Sequence, residues 1–306
     1  MNMTSYLVMM GISAVICCCM TYFLLKADGI EGEKAAVSSL ILLVSGCILG
    51  FVGAKLLYML LMFPFILMRG FWNVLVEIRI DELAYYGGVA GVILGAWLSA
   101  RLSGIPVKRF LNSFAPAGAF MAAMARFAEY YLNMLGAGDY MEEGGFFPLT
   151  ITNSWGEHYL AVFMFEGAFS LIAMVISLMH RKEEMRFVRT LFYLCLPQIF
   201  CESLRAMSIA WLFVRAEQLL CYLFVEAVLI AWSLRIRKTE RLWFLPWVLG
   251  LVVCALTVAE EFALDKTDIP HTITYACMLA GLVVLAVVEH WAYRRAFGEK
   301  KEVQPA

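Results

Sequence analysis

The sequence predicts an all-α polytopic transmembrane bundle of about nine spans, and three observations predict it. First, 62% of the 306 residues are hydrophobic and 16% are charged, whereas a soluble domain is near half apolar and about a quarter charged. Second, the apolar residues fall in runs long enough to cross about 30 Å of hydrocarbon at about 1.5 Å per residue. Third, the basic residues concentrate in alternate loops, which gives the bundle two distinct sides. The formal net charge of −1 carries no information about partners; the placement of the charges does. No nucleic-acid partner is expected.

The spans are expected near 5–25, 36–62, 84–100, 112–135, 159–179, 189–213, 216–234, 243–260 and 271–292. Met1 to Ser5 holds no basic residue, so the first run lacks the charged lead-in of a secretory signal and is read as a retained span. After the second span, Phe63 to Leu83 mixes Phe71, Trp72, Leu75 and Ile78 with Glu77, Arg79 and Asp81, the composition of an arm lying in the interface. The third span carries Gly87, Gly88, Gly91 and Gly95, a small-residue face for close helix packing. In the fourth, Arg126 and Glu129 are i, i+3 neighbours, with Ala119, Ala122 and Ala123 on or beside the same face. Gly136 to His158 is the longest polar connection, and no soluble domain is expected there. The sixth span carries Gln198, Glu202 and Arg205 as an i, i+4, i+7 stripe just above Pro197, a residue that favours a kink.

Orientation follows from the loops. Lys26 and Lys34, then Arg101, Lys108 and Arg109, then Arg181, Lys182, Arg186 and Arg189 mark one side. Arg235, Arg237, Lys238 and Arg241, then Arg294, Arg295, Lys300 and Lys301 continue the series. The positive-inside rule puts these in the cytoplasm and the N-terminus outside, which an odd number of spans requires. All nine cysteines lie within apolar runs and none forms a CxxC pair, so they are read as small buried hydrophobes.

Charges inside spans need a partner, a cavity or an interfacial escape. They are Lys55, Arg126, Glu129, Glu166, Glu202, Arg205, Arg215 and Glu226. Arg126 stands about 14 residues, or ~21 Å, above the cytoplasmic start of its helix, and Arg205 about 16 residues, or ~24 Å. Lys55 is higher, and Tyr6, Tyr86 and Arg215 stand at outer helix ends. Groups from six spans therefore share the outer half of the bilayer, a level that suits one polar pocket. A plainer alternative has Arg126–Glu129 and Glu202–Arg205 neutralising one another as structural pairs. Lys55 in that reading snorkels to the interface, and Glu166 and Glu226 serve packing or hydrogen bonding. With no HExxH, P-loop or Cys–His cluster, no metal and no cofactor are expected.

Several of these residues lie in stretches that resemble the prolipoprotein diacylglyceryl transferase family. Ser5-Tyr6-Leu7-Val8-Met9 is similar to its opening WYGLM-like segment, and Gly53-Ala54-Lys55-Leu56-Leu57-Tyr58 to its GARLFYV segment. Tyr86-Gly87-Gly88, with Ala100-Arg101 and Ile105-Pro106 after it, resembles the HGGLIG…AR…IP region. Phe114-Ala115-Pro116 leads to Arg126, placed like the arginine of RIGNFINGE. Phe163-Met164-Phe165-Glu166 resembles FLYE, and Glu202-Ser203-Leu204-Arg205 through Arg215, Gln218 and Leu220 resembles IEGLR…LRxAQxLS.

The resemblance covers residues 5–234. It implies a seven-helix transferase-like core over 1–234, with two additional C-terminal helices and a short cytoplasmic tail over 235–306. It also implies a bacterial cytoplasmic-membrane protein, expected as a monomer, whose partners are phosphatidylglycerol, membrane lipid and a prolipoprotein signal-peptide region. The reaction it implies moves diacylglyceryl from phosphatidylglycerol to a lipobox cysteine thiol. Arg126, Tyr6, Tyr86, Glu202 and Arg205 are then the catalytic candidates; Gly87, Gly88, Glu129, Gln198, Lys55 and Arg215 are the substrate-binding ones. Four departures stand out. Tyr86 replaces a histidine, Glu129 an asparagine, and Gln198 an arginine, while Leu132-Asn133-Met134 replaces NGE. A non-catalytic lipid- or lipoprotein-binding homologue is the competing reading; a transporter is disfavoured by the absence of internal repeats.

Overall fold

The computed structural model describes residues 2–298 except 78, 80–81, 133–135, 143–144, 207–209, 212–213 and 268. Expectations for Ile78, Asp81, Asn133, Met134, Lys300 and Lys301 fall outside the described residues. The chain is an all-α polytopic membrane protein that packs as two compact units, Met1–Thr190 and Leu191–Ala306.

The first unit holds α1 (Met3–Ala27), α2 (Gly32–Leu61), the short α3 (Phe63–Arg69) and α4 (Phe71–Val76), α5 (Tyr85–Leu102), α6 (Val107–Ala128) and α7 (Val162–Met179). The helix α8 (Arg186–Ser203) begins in it and continues into the second unit, where α9 (Ala216–Ile236), α10 (Leu245–Lys266) and α11 (His271–Phe297) follow. By length and composition six of these can cross a bilayer: α1, α2, α7, α9, α10 and α11. The helices α5, α6 and α8 have 18, 22 and 18 residues, a comparable length. Their glycines, tyrosines and arginines dilute the apolar run.

The segment expected as an interfacial arm folds as α3 and α4, with Phe63, Met68, Trp72 and Val76 exposed. Lipid is the solvent that suits such a surface, and exposed Leu7, Phe23, Leu40 and Val44 say the same of α1 and α2.

The tightest packing in the first unit is α2 against α5. Side chains on Gly87, Gly91 and Gly95 would run into Leu57 Cβ at 2.7 Å, Gly50 Cα at 2.8 Å and Gly46 N at 2.8 Å. One i, i+4, i+8 row of glycines on α5 thus lets the two backbones touch. At the end of this unit where α1 stops and α6 starts, Asp28 gathers the neighbouring chain ends. Its carboxylate accepts from Ser113 Oγ at 2.5 Å and from Arg181 Nε and Nη2 at 2.9 and 2.7 Å.

Three expectations change. The fourth span ends at Ala128 and passes into a 3-10 turn, Glu129–Leu132. The Gly136–His158 connection forms a small antiparallel sheet, β1 (Tyr140–Met141) and β2 (Thr150–Thr152) flanking β3 (His158–Leu160). The sixth helix stops at Ser203, and a two-strand ribbon, β4 (Ala210–Trp211) with β5 (Val214–Arg215), leads into α9. Among the cysteines, Cys17, Cys201 and Cys221 are buried, but Cys19, Cys47 and Cys277 lie on exposed helix faces. A thiol on such a face is small and apolar enough to meet lipid.

Candidate functional site

Each unit carries a buried polar centre. In the first, the last turn of α6 presents Arg126, only 2% exposed. Its Nη1 donates to Glu129 Oε1 at 2.7 Å, and its Nε lies 3.3 Å from Glu166 Oε2 on α7. Its guanidinium carbon stands 3.6 Å from the centroid of the Tyr85 ring, a cation–π contact. Ala119, Ala122 and Ala123 on α6 are buried below it; at these positions the helix offers no side-chain bulk to its neighbours.

Glu129 and Phe163 both crowd the space where Gly136 would carry a Cβ, 2.7 Å from Phe163 Cβ. Glycine there lets the chain pass over the carboxylate. Tyr6 on α1 lies within electrostatic reach of Glu129 and Arg126. Among the described residues, the Arg126 guanidinium contacts both carboxylates.

Tyr86 is the second residue of α5, edge-on to Tyr85 with ring centroids 5.2 Å apart. Gly87 is pressed against α2 near Gly53 and Leu57, and Gly88 faces Ala54 Cβ at 3.7 Å. Lys55 does not snorkel: it is 5% exposed and donates to Glu82 Oε2 at 2.7 Å and to the Glu77 carbonyl at 2.9 Å. Arg69 at the end of α3 donates to the other Glu82 oxygen at 2.7 Å and to Glu77 at 2.9 Å. Burial opposes ionisation of Glu82, yet its hydrogen bonds and charge contacts with Lys55 and Arg69 hold the carboxyl below the usual range.

In the second unit the polar stripe forms at the end of α8. Gln198 Nε2 donates to Glu202 Oε1 at 3.1 Å, and Arg205 Nε lies 3.6 Å from the same oxygen. Arg205 was expected inside the helix; it lies two residues past its end, in the turn after Ser203. Arg215, the residue before α9, sends Nη1 to the carbonyls of Glu202 and Arg205, the latter at 2.5 Å, and Nη2 to that of Ser203 at 3.4 Å. A cation on the last carbonyls of a helix is favourably placed against its dipole and ends it. Gln218 Nε2 reaches back to Ser203 Oγ at 3.2 Å and to the Ile199 carbonyl at 3.0 Å.

Within its unit, then, the structure brings Arg126 and Glu129 together with Tyr6 nearby, and separately joins Gln198, Glu202, Arg205 and Arg215. Lys55 belongs to a third group with Glu82 and Arg69. Sequence reasoning missed Glu82 and Tyr85 and gave Glu166 a packing or hydrogen-bonding role without naming Arg126 as its partner. The Tyr85 contact was foreseeable as the neighbour of Tyr86, but nothing in helical spacing ties Arg126 to a residue forty positions away. Chemically, the second unit offers two guanidiniums around one helix end. Compared with known families, the chain matches the model of prolipoprotein diacylglyceryl transferase over residues 1–234. No curated protein matches it.

Proposed function

The chain belongs to the prolipoprotein diacylglyceryl transferase family, and from that premise we propose that it transfers diacylglyceryl from phosphatidylglycerol to the lipobox cysteine of a prolipoprotein. The match over residues 1–234 carries this reading. Family membership supports a membrane protein of a transferase family in lipoprotein biosynthesis; donor, acceptor and residue roles are proposed.

In the proposed reaction the cysteine sulfur attacks the terminal glyceryl carbon of the diacylglyceryl group. The S–C bond forms as the C–O bond to phosphate breaks, and the electron pair leaves on the phosphate oxygen as glycerol phosphate. The released phosphate monoester, with a second ionisation near neutrality, takes up the thiol proton. Cations that grip the phosphate more tightly as charge develops on its oxygen lower the barrier. Arg205, oriented by Glu202, and Arg215 beside it fill that role. Within the first unit, Arg126 is the cation and Tyr6 the hydrogen-bond donor of this reading, at the extracytoplasmic leaflet of a bacterial cytoplasmic membrane. Gln198, bonded to Glu202, borders the phosphate in this reading, whereas Gly87 and Gly88 face α2 and Lys55 is held by Glu82, outside the substrate's reach. Tyr86 is a poor base at neutral pH, so the proton is assigned to the leaving group.

A second reading has a specific observation behind it. Arg126 is engaged by both Glu129 and Glu166, contacts that compete with phosphate for its donors. A homologue that binds lipid or lipoprotein without transfer would tolerate this. Purified protein given labelled phosphatidylglycerol and a lipobox peptide separates the two. Thioether product lost in Arg205→Ala supports the transferase; lipid retained without product, in wild type and variant alike, supports the binding protein.

A further inference from the structure

The family match stops at residue 234, yet two carboxylates from beyond it are built into the helices within it. At one end of the second unit, Glu261 of α10 accepts through Oε1 from Gln218 Nε2 at 3.0 Å and from the Ser203 hydroxyl. Ser203 also lies 3.4 Å from Met278 Sδ of α11. Toward the other end, Glu289 of α11, fully buried, accepts from Tyr193 of α8 through Oε2 at 3.1 Å and from Trp232 of α9 through Oε1 at 3.2 Å. Both donors in each set belong to α8 and α9; both acceptors belong to the C-terminal hairpin.

The two anchors differ in what they hold. Glu289 ties down residues in the shafts of the helices. Glu261 binds Ser203, the residue between Glu202 and Arg205, and Gln218, whose amide also touches the Ile199 carbonyl one turn before Ser203. Ser203, Gln218 and Arg215 all converge on that same helix end.

We propose that Glu261 is a positioning residue for the Glu202–Arg205 turn, so that the C-terminal hairpin works as part of the site rather than as an appendage. This rests on the transferase reading above for its activity readout. A half-buried acceptor that takes both a hydroxyl and an amide fixes two side chains at once, and losing it leaves two donors without it. The turn carrying Arg205 would then sample positions away from the phosphate, where displacement of about 1 Å is costly to rate. Because both bonds land on one oxygen, a neutral amide with its carbonyl in that place can replace the carboxylate.

The test compares full-length Glu261→Leu, Glu261→Gln and Glu289→Leu in lipid nanodiscs. Transfer from labelled phosphatidylglycerol to a lipobox peptide is measured per folded molecule, alongside amide hydrogen exchange of residues 199–205. Glu261→Leu is expected to lower kcat about tenfold or more, with the peptide KM within about twofold, and to speed exchange in 199–205. Glu261→Gln is expected to restore both; Glu289→Leu is expected to lower Tm while leaving kcat and that exchange near wild type. Equal losses of kcat in the two leucine variants overturn the proposal, since the hairpin would then act only as a brace. So does a glutamine variant as damaged as the leucine one. If wild type transfers nothing, the transferase reading fails by itself, and the exchange data decide alone: no local increase in Glu261→Leu overturns the positioning role.

Discussion

Two buried charged centres in the first unit are near mirror images, and they do not have the same uses. At Arg126 one guanidinium meets two carboxylates, Glu129 and Glu166. At Glu82 one carboxylate meets Lys55 and Arg69, with Arg79 3.8 Å away. The first is closed over by Tyr85 and lies within the packed helices; the second opens through Arg69, whose side chain is 32% exposed. The partners each centre already holds decide what it can receive. A guanidinium held by two carboxylates stays in place and resists an anion, whereas a carboxylate held by two cations tethers a segment and leaves Arg69 partly exposed. Retained family residues are therefore weak guides to function until their partners are counted.

The comparison is tested most severely by removing its pivot. Arg126→Ala leaves Glu129 and Glu166 buried side by side, and breaking such a pair costs about 3–5 kcal/mol. The variant should unfold well below wild type in a thermal scan in detergent. A Tm within a few degrees of wild type would mean that the two carboxylates do not depend on Arg126. The Arg205→Ala variant, with its longer 3.6 Å contact to Glu202, should keep most of its stability.

Next in size is the frame that holds the Glu82 centre in register. Lys55 rides on α2, while Glu82 precedes α5, and Ala84 N donates to the Ala54 carbonyl at 3.0 Å. Both helices depend on the glycine row. Gly91→Leu should cost about 1–3 kcal/mol by overpacking and spread α2 from α5. Cysteines placed on the two helices would then crosslink more slowly. Unchanged crosslinking would show that the row is not what sets the distance.

How much of this was legible follows from the range of each interaction. The membrane fold was readable because long apolar runs declare themselves locally, and the glycine row because one helix face is written at a fixed spacing. Arg126–Glu129 and Glu202–Arg205 were readable as i, i+3 pairs. Glu166 and Glu82 were not recognised as partners, because nothing in helical periodicity links residues on separate helices. The small sheet escaped because strands of two or three residues are too short to show alternation. The end of α8 escaped because Ile209 to Phe213 continues the apolar run, while the signal that stops the helix, Arg215 on its last carbonyls, comes from the other side of the turn.

A smaller effect would sharpen the comparison by changing its sign. Glu129→Asn restores the residue type of the family motif and leaves one carboxylate facing Arg126. If the Glu129 carboxylate is what limits anion binding there, transfer at subsaturating phosphatidylglycerol should rise by about tenfold, roughly 1.4 kcal/mol. A decrease would mean that Glu129 is needed to orient Arg126 and does not compete with the anion.

The smallest effect concerns acid. Lys55 and Arg69 outweigh the burial that opposes ionisation, so the Glu82 carboxyl is held below its usual range in the folded protein. Its folded pKa is thus lower than its unfolded one, about 4.3. The unfolded chain binds the proton first as pH falls, so the linked stability is complete above that unfolded value and drains away as pH drops through the folded one. The Tm gap between wild type and Glu82→Gln should hold steady from pH 7 to about pH 5 and narrow only below the ordinary carboxylate range. A gap that closes between pH 7 and pH 5 would place the titration on the wrong side of that range. The base-rich centre would then not be holding its carboxylate, and its contrast with Arg126 would fall with it.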